Sequence, residues 1–184
     1  MITISPIPTA ALEGRAIGAL VMAGFGALWI VIAAKLLKRL DWRAWLVVAL
    51  LTGILCMGAG KQLQLAGRSS DTPHSGSETE SDRPIGRQFG IVLALEWAAI
   101  VGVVVVFVRM HRSDLILSGI AIVVGLHFAA LARIFGAPVY YFTAVAIVLT
   151  ALAAFAIRDT TVRRAATCIG CGLALWFTSA FLLA

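Results

Sequence analysis

The sequence predicts an all-α membrane protein, a polytopic bundle of six transmembrane helices, and three observations lead there. Apolar residues make up 61% of the chain and charged ones 13%, whereas a soluble domain is roughly half apolar and a quarter charged. Water is therefore not its main solvent, and the mean hydropathy of +0.98 agrees. The apolar residues fall into six runs, each near the roughly 20 residues that a helix needs to cross hydrocarbon. The basic residues cluster in the short turns between those runs, as membrane topology requires. No remaining segment is long enough to build a separate core, so residues 1–184 read as one transmembrane domain.

The runs span about 16–37, 45–63, 89–108, 115–135, 139–157 and 165–184. The first is too long for the apolar region of a signal peptide, lacks a small-residue cleavage site and ends in Lys35, Lys38 and Arg39. It reads as a retained span. The second follows the basic turn KRLDWR, where Trp42 and Trp45 suit the membrane–water interface. Residues 64–87 then change character, with Ser, Thr, Gly, Pro and acids and little to bury, so they read as a polar extracytoplasmic loop. His74 in that loop reads as an ordinary exposed histidine. Four further spans complete the chain.

If the turns after spans one, three and five face the cytoplasm, that side holds Lys35, Lys38, Arg39, Arg43, Arg109, Arg112, Arg158, Arg163 and Arg164. The other side holds Arg15, Lys61, Arg68, Arg83, Arg87 and Arg133, several of them in the long loop, which counts for less. The expectation is a multi-pass protein of the bacterial inner membrane with both termini extracytoplasmic. The net charge of +6 would raise nucleic acid in a soluble protein. Here the basic clusters border apolar runs, so the lipid bilayer is the partner and nucleic acid is set aside. The turns LLKRLDWR, VRMHRSD and IRDTTVRR sit at successive apices, which admits a reading as three repeated hairpins. Short basic cytoplasmic loops are common enough to explain the same pattern.

The polar groups inside the spans carry the functional reading. An ionisable residue within a membrane span is costly and is a functional-site hypothesis by default. Glu96 interrupts the third run and His127 the fourth. Counted from the cytoplasmic ends at about 1.5 Å per residue, Cys56 and Glu96 lie about 18 Å up their helices and His127 about 20 Å. Thr178 and Ser179 reach a similar level, and Tyr140 and Tyr141 sit just above it. Consecutive antiparallel helices joined by a short turn pack side by side, so Glu96 and His127 are expected to meet. Such a pair can share one proton and act as a relay, a protonation-linked switch or a ligand anchor. It can equally be a structural hydrogen bond that fixes helix packing. Arg133 and Lys61 rim this layer, where snorkelling to lipid phosphates competes with attraction of an anionic substrate. The candidate ligand or proton site is thus Glu96, His127, Tyr140, Tyr141, Arg133 and Cys56.

Other motifs carry less. The pair Cys168 and Cys171 forms a CxxC, but it lies low in the sixth span, away from Cys56, and a disulfide relay would want a second pair. Small apolar packing residues are the better account, with Gly170, Gly172 and Ala174 allowing close helix approach. Gly24, Gly26, Gly58 and Gly60 read as helix-packing positions too. The GAGK at Gly58 to Lys61 lacks the spacing and the hydroxyl of a phosphate loop. No catalytic motif is present, no metal or cofactor is implied, and the sequence leans against an enzyme. A membrane enzyme acting through His127 or the cysteines lacks a nameable set of nucleophile, base and orienting group.

The pattern Gly125-Leu126-His127-Phe128, Leu131-Ala132-Arg133-Ile134-Phe135, Pro138 and Tyr140-Tyr141 resembles one found in small six-span bacterial membrane proteins without established activity. The resemblance covers spans three to five. It implies a bacterial integral membrane protein and the salience of His127, and it supplies no reaction. The leading expectation is a small transporter or channel-like protein in which Glu96 and His127 line a central polar site and act on a small molecule or ion. The alternative is a structural or sensory subunit working through a partner. Six short spans also leave room for a homo-oligomer that completes a pathway.

Overall fold

The computed structural model describes the backbone of residues 9–37, 42–68 and 82–184, and the side chains of 15–37, 46–65 and 87–184. Among them the chain is helical, with no strand. The helices are α1 (Thr9–Leu37), α2 (Trp42–Arg68), α3 (Asp82–Arg109), α4 (Ile116–Phe135), α5 (Val139–Ala154) and α6 (Thr160–Leu183), with a 3₁₀ turn at Ser113–Leu115 before α4. Five helices are long and apolar enough to cross a membrane, and α5 is a shorter apolar one. Several long apolar helices in so small a chain point to a membrane-embedded helical bundle.

Several boundaries differ from the sequence reading. The helices α2 and α3 run past the apolar segments into the polar stretch 64–87, because a helical backbone satisfies its own hydrogen bonds whatever its side chains. The middle of that stretch, 69–81 with His74, lies outside the described residues, as do Lys38, Arg39 and the side chains of Trp42, Arg43 and Trp45. The helix α5 stops at Ala154, short of Ile157, and α6 begins at Thr160 rather than Ala165. The cause is Asp159, whose carboxylate accepts from the backbone N–H groups of Thr161 and Val162, both at 2.8 Å, and so starts α6 before its basic residues. Between α4 and α5, Gly136 adopts φ +60° and closes α4 in a left-handed cap, with the Ala137 N–H on the Ala132 carbonyl at 3.1 Å. Only two residues, Ala137 and Pro138, then separate it from α5.

The helix α6 is the hub. It packs against α1 and α5 along its length and touches α2 and α4, while the remaining contacts pair α1 with α2, α4 with α5, and α3 with α4. Burial follows this order, for α6 and α1 hold Leu175, Cys168, Cys171, Ala19 and Ala23 fully enclosed, and α3 buries no residue of its apolar stretch. The α1–α6 approach is very close. A Cβ added at Gly172 would lie 2.9 Å from the Gly26 carbonyl oxygen, and one at Gly26 would lie 3.1 Å from that of Gly172 and within 2.8 Å of the Trp176 ring. Side chains of α6 then reach α1 backbone: the Trp176 indole N–H donates to the Ala23 carbonyl at 3.2 Å, and the Ser179 hydroxyl to that of Ala19 at 2.8 Å. At the far end, Arg15 Nε and Gln62 Nε2 donate to the carbonyls of Leu182 and Leu183 at 3.2 and 2.9 Å. Those carbonyls belong to the last turn of α6 and have no partner within the helix.

Of the glycines read as packing positions, Gly26, Gly58, Gly170 and Gly172 stand against a neighbouring helix, while Gly24 and Gly60 face open space. The contrast gives a test. Gly172→Ala should destabilise the folded chain by about 1–3 kcal/mol, the usual cost of overpacking, because the obstacle is partly backbone. Gly24→Ala should cost nothing and gain up to about 1 kcal/mol of helix propensity. Reversible unfolding in detergent checks both, and equal effects at the two sites would contradict the packing.

Candidate functional site

The half-buried residues of α3 are Val92, Glu96, Ile100, Val103, Val104 and Phe107, all but Val104 at helical spacings of three and four on the side of α4, and its other described side chains are exposed. Opposite them, Gly119 lets Val103 and Phe107 approach, since a Cβ there would lie 2.6 and 2.7 Å from those side chains. Two turns further along α4 the same face presents His127. Its Nδ1 stands 3.2 Å from Glu96 Oε2, with side-chain exposures of 10% and 14%. The two helices run antiparallel out of one short turn, so equal counts from that turn bring the two groups level.

The geometry of the contact is informative. His127 Nδ1 is buried and makes no well-aligned hydrogen bond, although the carboxylate oxygen is within reach. A proton on either side of the gap suits the pair: a ring N–H would point obliquely at the carboxylate, and a neutral carboxyl would donate to the Nδ1 lone pair. Glu96 and His127 are therefore close enough to share a proton, at an angle that is not that of a formed hydrogen bond. The His127 ring also meets the edge of Phe128, centroids 5.9 Å apart, and Phe128 lies 6.0 Å from Tyr140.

The remaining candidates are distributed. Tyr140 is buried and reaches α1, where its hydroxyl would stand 3.0 Å from a Cβ at Gly18, so its only route to His127 among these contacts is the Phe128 ring. Tyr141 and Arg133 are exposed, and so is Lys61. Cys56 is half-buried on α2, a helix that touches neither α3 nor α4. The pair itself is not central. Among the described elements α3 touches only α4 and the 3₁₀ turn, so Glu96 and His127 occupy a seam at one edge of the bundle. The sequence could not show this, because spacing along a chain ranks depth and says nothing about which non-consecutive helices are neighbours.

A second polar set was missed by sequence reasoning. The Arg163 guanidinium, through Nη2, pairs with Asp114 Oδ2, and Arg112 Nε lies 3.4 Å from the other oxygen of Asp114. One turn deeper the Ser118 and Thr167 hydroxyls meet at 3.2 Å, both fully buried. Nearer the opposite end Thr143 and Thr178 meet at 2.6 Å. In the sequence the arginines count only as topology charges. The signal that could have found the pair is Asp114, the one acid in a basic turn, at the same height as Arg163. Cys168 and Cys171 are buried free thiols, and no group of three or more His, Cys, Asp or Glu among the described residues is placed to hold a metal.

Comparison with protein-family models, with curated proteins and with solved structures finds no match. The resemblance in spans three to five gains no support from these comparisons, and the site has to be read from its own chemistry.

If Glu96 and His127 interact as the distance implies, Glu96→Gln and His127→Gln should be non-additive. The expected coupling is about 0.5–1.7 kcal/mol, the range seen for polar contacts between membrane helices. A double-mutant unfolding cycle in detergent checks it. Additive losses would mean that the two groups do not sense each other.

Proposed function

We propose that this protein is a small transporter or channel-like protein of a bacterial inner membrane. Its six helices all serve as spans, and the Glu96–His127 pair takes up and releases a proton as the bundle changes state. The observation that carries this is the 3.2 Å contact between an acid and an imidazole, both largely enclosed, between two apolar helices. Two ionisable types side by side at membrane depth are costly to keep for packing alone. The position at the edge strengthens the reading mechanically. Because α3 packs mainly on α4 among the described elements, a change in the pair's protonation alters a polar tie in the seam that fastens α3. The helix α5, with 16 residues, is about 24 Å long, so it crosses with help from its neighbours and from local thinning of the bilayer. In this reading the end with the basic turns after α1, α3 and α5 is the cytoplasmic one and both termini lie outside, in keeping with the bias of basic residues toward cytoplasmic loops.

A second reading, a structural or sensory subunit, draws on a separate observation. The face of α3 away from α4 presents Leu95, Trp97, Val101 and Val105, all at least half exposed. That face suits lipid or the helix of another membrane protein. The two readings differ in what the purified chain does alone.

Reconstituted into liposomes with an internal pH dye, the protein should carry protons down an imposed gradient, with or without a co-transported ion. Glu96→Gln and His127→Gln should each reduce the rate by about tenfold or more, a loss of about 1.4 kcal/mol in barrier stabilisation. Flux that is unchanged in both variants would remove the pair from the mechanism. Absence of flux in the native chain across a panel of ions would favour the subunit reading.

A further inference from the structure

The polar set between α4 and α6 has no part in the proton reading, and its construction points to a moving contact. Arg163 is only 8% exposed, sits in the first turn of α6 and pairs with Asp114 in the 3₁₀ turn before α4. Directly behind it the Ser118 and Thr167 hydroxyls close the same seam, and Thr167 also donates to the Arg163 carbonyl at 3.1 Å. Contact between α4 and α6 is otherwise slight, since both pack mainly on other helices. The polar pairs are therefore the principal tie between these two helices at that end.

Such a tie is a poor choice for rigidity. Desolvating a guanidinium and a carboxylate costs several kcal/mol, and well-packed apolar residues of the same volume often hold as well or better. An ion pair differs from an apolar plug once it parts, because both halves can be hydrated. The closed arrangement also leaves one donor unused: Arg163 Nε is buried without an acceptor among the described residues. Water reaching Arg163 would satisfy that Nε, which offsets part of the cost of separating the pair. Arg112 stands ready on the solvent side, 3.4 Å from Asp114, as an alternative partner for the released carboxylate.

We propose that Asp114 and Arg163 form a hydration gate, a latch that parts to admit water and small ions into the seam between α4 and α6, down to Ser118, Thr167 and Cys171. At about 100° per residue, Cys171 stands about 40° around α6 from Thr167, nearer the seam than Cys168, which stands about 100° away on the side of Gly172 and Ser179, where α6 meets α1. The large apolar side chains Ile147 and Leu175, both fully buried beyond Cys171, limit how deep the water goes. The gate is a separate claim from the proton pair on the α3–α4 seam, and either can fail alone.

The two thiols provide the test. The full-length protein in liposomes is prepared in two single-cysteine forms, one retaining Cys171 (Cys56→Ser, Cys168→Ser) and one retaining Cys168 (Cys56→Ser, Cys171→Ser). Each is labelled with a small water-borne maleimide and followed by mass spectrometry. Cys171 should label faster than Cys168 with the latch intact. Asp114→Asn or Arg163→Gln should raise the Cys171 rate by about tenfold or more, equivalent to about 1.4 kcal/mol of lost closure, with Cys168 unchanged. The exchanged pair Asp114→Arg with Arg163→Asp should bring the rate back toward that of the native latch. Equal labelling of the two thiols with the latch intact would overturn the proposal, and this comparison requires no change at the ion pair. So would folded single variants in which Cys171 stays as slow as before.

Discussion

Everything in this structure hangs from the close approach of α1 and α6 at Gly26 and Gly172. Helices in hydrocarbon gain little from hydrophobic attraction, because lipid tails are as apolar as leucine, so their association relies on contact distance and on hydrogen bonds between them. Here two glycines bring carbonyl oxygens of one helix to within about 3 Å of where the other's side chain would begin. At that distance Trp176 and Ser179 reach main-chain carbonyls of α1. The α1–α6 core then fixes α5 through Thr143 and Thr178, and α2 through Gly58 and Gln62. The helix α4 is added by packing on α5, where Gly125 admits Val148. The helix α3 comes last, held among the described elements by α4 and the 3₁₀ turn.

This hierarchy gives the two polar contacts on α4 their meaning. His127, toward one end, ties α4 outward to α3, and Asp114, at the other, ties it inward to α6. They lie 13 residues apart, about 20 Å along the axis. The first joins α4 to α3, the helix with no buried residue in its apolar stretch, where changes of state cost least. The second joins the turn before α4 to the first turn of α6, beside the exposed Arg112 at the end of the bundle. Polar contacts in these positions are placed to respond.

Much of this was legible in the sequence. Composition and run length led to a helical membrane bundle because hydrocarbon leaves few alternatives for the backbone. Counting residues from a shared turn brought Glu96 and His127 together, since helix rise is constant and consecutive helices are adjacent. Three things were hidden. Helix ends set by local hydrogen bonds, such as Asp159 starting α6, overrode the apolar boundary on which the span at 165 rested. The neighbours of non-consecutive helices, and with them the edge position of the pair and the centrality of α6, depend on packing that no single run encodes. Arg163 was hidden because a basic residue in a cytoplasmic turn satisfies the topology rule so well that a second role leaves no trace. The glycines show the same limit: Gly24 and Gly26 look alike in sequence, and only one touches another helix.

The central claim is that Glu96 and His127 hold a proton jointly, and infrared difference spectroscopy of the reconstituted protein tests it most directly. The carboxyl stretch of Glu96, assigned by its loss in Glu96→Gln, is followed against pH in the native chain and in His127→Gln. Removing the imidazole should move both the frequency and the titration midpoint of that band, because the carboxyl loses its proton partner. A Glu96 band that titrates identically with and without His127 would show two independent groups that happen to lie 3.2 Å apart and would contradict a shared proton.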